Sequence, residues 1–143
     1  MVPTPSQTVG PFFGFALPFE DGSACAPGGI RLEGQVLDGA GNPVPDALLE
    51  LSQEEQFGRC RTDEEGAFHF AVQKPRSGYL NVAVFARGLL RHLSTRVYFP
   101  GEEDGVLLSI EPQRRHTLVA TGDGDVLRFD IHMQGPDETV FFA

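Results

Sequence analysis

The side chains able to carry chemistry are few and scattered. Four histidines stand at 69, 92, 116 and 132, and the only tyrosines are Tyr79 and Tyr98. On a strand, residues i and i+2 face the same side, so a His-x-His pair can grip one metal ion. The sequence contains no such pair. Tyr79, Tyr98 and the four histidines are widely separated, and the simpler reading makes them surface or half-buried side chains. Cys25 and Cys60 lie far apart without CxxC spacing, which argues for isolated thiols rather than a zinc site. Arg87 follows an apolar run and would present a planar cation to a carboxylate, either of a ligand or of a partner chain.

The elements that must position these groups read as short strands. Seventeen glycines and 11 prolines punctuate brief apolar runs, the pattern of an all-β domain. Period-two alternation starts at Ile30 and continues through Leu32, Gly34 and Val36. Further strands are expected over 47–51, 57–62, 67–73, 79–86 and 93–99. The run 79–86 is apolar on both faces and therefore central. Residues 106–110 read as a strand or a helical turn, ended by Pro112. A last hairpin is expected from strands 116–121 and 126–133 around Gly122-Asp-Gly-Asp125, and 138–142 reads as a terminal edge strand. The fold class is all-β, a prealbumin-like β-sandwich over 30–143. Residues 1–29, rich in Pro, Gly and Phe, read as an extended N-terminal arm.

Composition bounds the function. At 143 residues, 41% hydrophobic and 22% charged, the chain suits one folded domain with a core of its own. Its net charge of −9 repels polyphosphate and argues against nucleic-acid partners. It would also repel a small carboxylate unless an arginine overrides the field locally. No apolar run is long enough to span a bilayer, and Met1-Val-Pro-Thr-Pro5 lacks the pattern of a secretory signal, so a cytoplasmic location is expected.

Several segments carry a family resemblance. Gly34-Gln-Val-Leu-Asp, Pro43-Val-Pro-Asp-Ala-Leu-Leu-Glu-Leu51 and Thr62-Asp-Glu-Glu-Gly-Ala-Phe68 look like a prealbumin-like or carboxypeptidase-regulatory-like sandwich, a signal of fold rather than function. Thr4-Pro-Ser-Gln-Thr-Val-Gly-Pro-Phe-Phe13, Phe85-Ala-Arg-Gly88, Thr95-Arg-Val-Tyr-Phe99, Glu111-Pro-Gln-Arg-Arg115 and the tail from Arg128 to Phe142 are more specific. They resemble the α subunits of protocatechuate 3,4-dioxygenases, within the intradiol ring-cleavage dioxygenase family. Two departures stand out. The chain is short for that family, with a segment missing between Gln53 and Phe57, and the family's Trp-Gln pair is Ser52-Gln53 here.

The resemblance implies an accessory subunit. Catalytic subunits of the family hold Fe(III) with two tyrosinates and two histidines, and the positions of the His-x-His pair correspond here to Tyr79 and Asn81. The implied cofactor is therefore Fe(III) in a β partner subunit only, with no metal, cofactor or catalytic residue on this chain. The implied partners are that β subunit in a hetero-oligomer of αβ pairs, a catecholic carboxylate and O₂. The reaction would be cleavage of protocatechuate to 3-carboxy-cis,cis-muconate. By the same resemblance Thr8, Gly10, Pro11 and Phe12 wall the partner's pocket, and Arg87 contributes to it. Arg96, Arg114 and Arg115 read as surface or interface charges, and Phe141-Phe142 as subunit contacts. The alternative is a non-enzymatic binding module of the same fold.

Overall fold

The computed structural model describes residues 29–142. The arm assigned to residues 1–29, with Thr8, Gly10, Pro11, Phe12 and Cys25, lies outside them apart from Gly29. Two sheets face one another. One has the order β4 (Ala67–Val72), β1 (Ile30–Leu37), β8 (Val126–Arg128), β7 (Thr121–Asp123), with β9 (Ile131–His132) also on β1. The other runs β3 (Gln56–Arg61), β2 (Leu48–Gln53), β5 (Tyr79–Phe85), β6 (Leu93–Tyr98). The all-β sandwich is the expected class.

Alternation decides which side chains fill the space between the sheets. Leu49 and Leu51 of β2, Leu80, Val82 and Val84 of β5, and Val97 of β6 meet Leu32, Val36, Phe68, Phe70 and Val72 from the opposite sheet. β5 is central, as its two-sided apolar run predicts, pairing β2 on one side and β6 on the other. A two-residue hairpin joins β2 to β3. Gln53 pairs with Gln56, and Glu54 takes the positive φ (55°) that the tight reversal requires.

The C-terminal third departs from expectation. Residues 116–118 are not strand: Pro112–Leu118 form a 3₁₀ helix, started by proline at its first turn and tightened by Thr117 Oγ1 donating to Arg114 O at 2.8 Å. Residues 126–133 are not one strand either. β8 and β9 are separated at Phe129-Asp130, where Asp130 Oδ1 accepts the Gln35 N–H at 2.9 Å in place of a ladder carbonyl. The tail forms a single bridge, Phe142 to Ser94, rather than an edge strand. It still ties the two sheets, since Thr139 N donates to His132 O and Phe142 N to Ser94 O. Residues 105–109 take the helical alternative, as α1 (Gly105–Ser109).

Candidate functional site

Tyr79 and Tyr98 are directly opposite one another on β5 and β6, and Asn81 is opposite Arg96. All four lie on the face of the sheet turned away from the main core. There α1, the 3₁₀ helix and the tail fold over β6 and bury Tyr98 completely, with Leu107, Leu118 and Val140. The reading of Tyr98 as a surface or half-buried residue is thus corrected. Period-two alternation sends it away from the sandwich, and the chain beyond β6 returns to cover it.

The tyrosine rings lie 5.3 Å apart, tilted by 42°. Arg96 stacks on Tyr79, its Cζ 4.0 Å from that ring's centroid. Its Nη1 donates to Tyr98 Oη at 3.0 Å, and Tyr98 Oη donates to Asp104 Oδ1 at 2.9 Å. The same carboxylate oxygen accepts Leu107 N–H at 2.9 Å and caps α1. Arg96 is therefore an organising cation inside this cluster rather than a simple surface charge.

The other arginines also have internal work. Arg115 donates to Ile110 O at 2.9 Å and to Leu108 O at 2.8 Å, and Arg114 donates to Glu138 O at 3.0 Å. They hold carbonyls of the covering layer in place. Phe142 packs on the Tyr98 cluster and Phe141 against the main core, so both have contacts within the chain.

Protonation follows from this geometry. Burial pushes the Tyr98 phenol above its ordinary value, the Arg96 hydrogen bond opposes the rise, and Asp104 adds to it. Burial also pushes Asp104 up. The Leu107 N–H, the Tyr98 hydroxyl and Arg96 outweigh that push and leave the carboxyl below its ordinary value. Cys60 is half-buried and free, and burial raises its thiol, which suits an inert cysteine.

An iron centre of two tyrosinates and two histidines does not fit this arrangement. Tyr98 is held as a neutral donor to Asp104, and a guanidinium stacks on Tyr79. His69 and His132 belong to the other sheet, and His92 packs on Phe85 at the far end of β5 with ring centroids 5.0 Å apart. Among the described residues, no group of three or more His, Cys, Asp or Glu side chains could hold a metal ion. Beside the cluster, the outer sheet face forms an open cleft of about 470 Å³ lined by Ser52, Phe57, Asn81, Ser94, Arg96 and Phe142, among others. Arg87, at the far end of β5, is exposed and is not part of it.

Asp104→Ala is expected to cost about 1–3 kcal/mol at neutral pH, because it removes a helix cap and the acceptor of a buried hydroxyl. The folded carboxyl titrates below its ordinary 3.8. Its contribution is thus complete above that value and is lost as pH falls through the folded pKa. Melting curves should show a wide gap between parent and variant near pH 7 and a narrower one near pH 3. An equal gap at both would reject the ionised role.

The sandwich shares its fold with solved dioxygenases. A dioxygenase domain from Streptomyces sp. SirexAA-E superposes with a TM-score of 0.60 at 21% identity, covering 79% of this chain and 87% of that one. Hydroxyquinol 1,2-dioxygenase from Pseudomonas putida gives 0.59 at 18% identity, over 78% of this chain and 59% of that one. Sequence similarity is more specific. The chain is 38% identical to the protocatechuate 3,4-dioxygenase alpha chain of Burkholderia cepacia, over 97% of this chain and 96% of that one. It is 36% identical to the alpha chain from Pseudomonas putida, over 97% and 95%. It belongs to the protocatechuate 3,4-dioxygenase alpha-chain family. The Burkholderia cepacia beta chain is a more distant relative, 27% identical over 71% of this chain and 56% of that one. No protein-family model matches. The alignments to the alpha chains run over 194 and 191 positions against 143 residues here, so those relatives carry segments this chain lacks. The two-residue β2–β3 hairpin is a closed, satisfied turn at the place where such a segment is expected to be missing.

Proposed function

We propose that this chain is the α-type subunit of an intradiol dioxygenase and completes the pocket of an Fe(III)-bearing β partner that cleaves protocatechuate to 3-carboxy-cis,cis-muconate. The observation that carries the reading is similarity to protocatechuate 3,4-dioxygenase alpha chains along nearly the whole length of both. The Arg96–Tyr79–Tyr98–Asp104 cluster agrees with it, since those side chains are committed to one another rather than to a metal. The iron of the family supplies activation of the bound catechol toward O₂. This chain's own part is positional. Arg87 holds the ring carboxylate, and the arm residues Thr8, Gly10, Pro11 and Phe12 wall the pocket. Gly10 permits close backbone approach there, and Pro11 stiffens the loop.

The location proposed is cytoplasmic. Among the described residues, no helix is long and apolar enough to cross a membrane.

The test is expression of the chain alone and together with its β partner, followed by iron content, visible absorption and protocatechuate cleavage on each sample. Iron, colour and turnover are expected in the co-purified pair and absent from the chain alone. An isolated chain that binds iron and opens the ring would overturn the assignment. So would failure to form any complex, which would favour the binding-module reading.

A further inference from the structure

The outer face of the β3–β2–β5–β6 sheet carries two rows of side chains set directly across the four strands. One row is Phe57, Ser52, Asn81 and Arg96, and the next is Arg59, Glu50, Ala83 and Ser94. Side chains on the two central strands are short except for Glu50, which Arg59 meets at 3.0 Å. The flanking strands carry the long Phe57, Arg59 and Arg96, and α1 and the tail add Val106 and Phe142 on the β6 side. The open cleft is therefore a trough along β2 and β5, with a low floor and raised walls about 14 Å apart, three strand spacings. Its rim is apolar and open, since Phe57 is 53% exposed and Val106 36%.

A segment of matching shape occurs in the chain itself. Between Phe13 and Phe19 the sequence alternates Phe13, Phe15, Leu17 and Phe19 with Gly14, Ala16 and Pro18. Extended, such a run puts four large apolar side chains on one side and small ones on the other. Pro18 lacks an N–H, so the run suits a bed of side chains better than a place in a hydrogen-bonded ladder. The outer face of the other sheet does not suit it, being lined by Arg31, Glu33, Asp63, Glu65, His69 and Arg128, among others.

Position brings this segment to the trough. β1 starts at Ile30 opposite Val72, and the adjoining Gln73 exchanges two hydrogen bonds with Gln56, at 2.8 and 2.9 Å. Phe57 comes next, so the arm leaves the domain at the end of the sandwich where the trough begins. Arg87 lies at the other end, beyond β5. The reading under Proposed function brings Thr8, Gly10, Pro11 and Phe12 to the same pocket as Arg87, so the arm has to run the length of the sheet. Extended, residues 13–19 cover about 20 Å, the length of the seven-residue β5. Residues 20–29 can span about 33 Å, ample to cross the ~10 Å between the sheets.

We infer that residues 13–19 of the chain's own arm lie in this trough, with Phe13, Phe15, Leu17 and Phe19 turned to its floor, and deliver residues 8–12 beside Arg87. The inference rests on the reading under Proposed function for its direction, and it names how the arm reaches that pocket. Tethering at Ile30 holds the segment at a roughly millimolar local concentration, so contacts too weak to retain a free peptide suffice here.

The test reads thiol labelling in the full-length chain, alone and in the co-expressed pair. Ser52→Cys and Asn81→Cys place reporters on the trough floor, and His69→Cys is the control on the outer face of the other sheet. Peptide mapping separates the label from Cys25 and Cys60, and melting curves check that each variant folds. With the natural arm, both floor thiols are expected to react with a maleimide at least tenfold more slowly than when Phe13→Ser, Phe15→Ser and Phe19→Ser are combined. The control should change less than twofold. A short bismaleimide should also join Phe15→Cys to Asn81→Cys within one chain. Floor thiols that label within twofold with either arm overturn the docking, and if the parent pair still cleaves protocatechuate the subunit assignment stands. A cross-link found only between two chains makes a second copy the occupant and overturns the inference. Protection that appears only in the pair and ignores the arm substitutions makes the β chain the occupant and overturns it equally. A pair that neither forms nor turns over removes the subunit assignment, while labelling of the chain alone still decides the trough.

Discussion

Gly34→Ala is expected to destabilise the sandwich by about 3 kcal/mol or more, at the upper end of overpacking effects. A Cβ at this position would stand 1.8 Å from Phe129 O and 2.6 Å from Phe129 C, both backbone atoms. Nothing flexible can yield there, and Phe68 Cζ, 3.0 Å away, closes the other direction. Moving Phe129 outward would also break its N–H bond to Glu33 O at 2.8 Å and strain the neighbouring Gln35 N–H to Asp130 bond. β1 pairs with β4 on one side and with β8 and β9 on the other, so the damage would reach the centre of that sheet. Gly41→Ala is the control, at φ +82° with nothing within 4 Å, and should cost only about 1–2 kcal/mol of backbone strain. Denaturant unfolding of both variants checks the contrast. Equal losses would mean that the close approach at Phe129 relaxes without penalty.

Gly34 also marks how far the sequence could be read. Alternation through Ile30, Leu32, Gly34 and Val36 gives the strand and its face correctly. It does not reveal that the neighbouring chain presses against the missing side chain, or that Asp130 substitutes a carboxylate for a backbone acceptor beside it. A strand pattern over 126–133 therefore becomes two short strands. The same limit applies at 116–121, where β-type composition is overridden by Pro112 and by Thr117 back-bonding to Arg114 O. β1 to β6 were legible because each alternates over a buried face, with turn residues between successive strands.

The cluster around Tyr98 was half legible. Placing Arg96 and Tyr98 on one face of a strand follows from period two alone. Placing Tyr79 beneath Arg96 needs the β5–β6 register, which local sequence does not encode. Asp104, the third of three consecutive acids after Gly101, reads as solvated loop until the helix it caps is seen. Family similarity identified the chain's relatives, while the guanidinium stacked on Tyr79 became visible only in the β5–β6 register.

In the assembled pair, Arg87→Ala is expected to raise KM for protocatechuate by about ten- to a hundredfold and to leave plain catechol within about twofold. The magnitude follows from losing a charge-assisted hydrogen bond of about 1.5–3 kcal/mol to a ligand carboxylate. Catechol has no carboxylate, so it has nothing to lose at that position. kcat should change less than KM, because the interaction is made equally with the bound substrate and the transition state. Arg87→Lys should recover only part of the loss, since an ammonium cannot offer the planar two-point contact. The competing use of Arg87, an ion pair with a carboxylate of the partner, gives a different pattern: both substrates suffer alike and αβ association weakens. Measuring KM for the two catechols and the pair's dissociation constant on the same variant separates these uses. Selective loss of protocatechuate affinity with unchanged association assigns Arg87 to the substrate, and a uniform loss with weaker pairing assigns it to the interface.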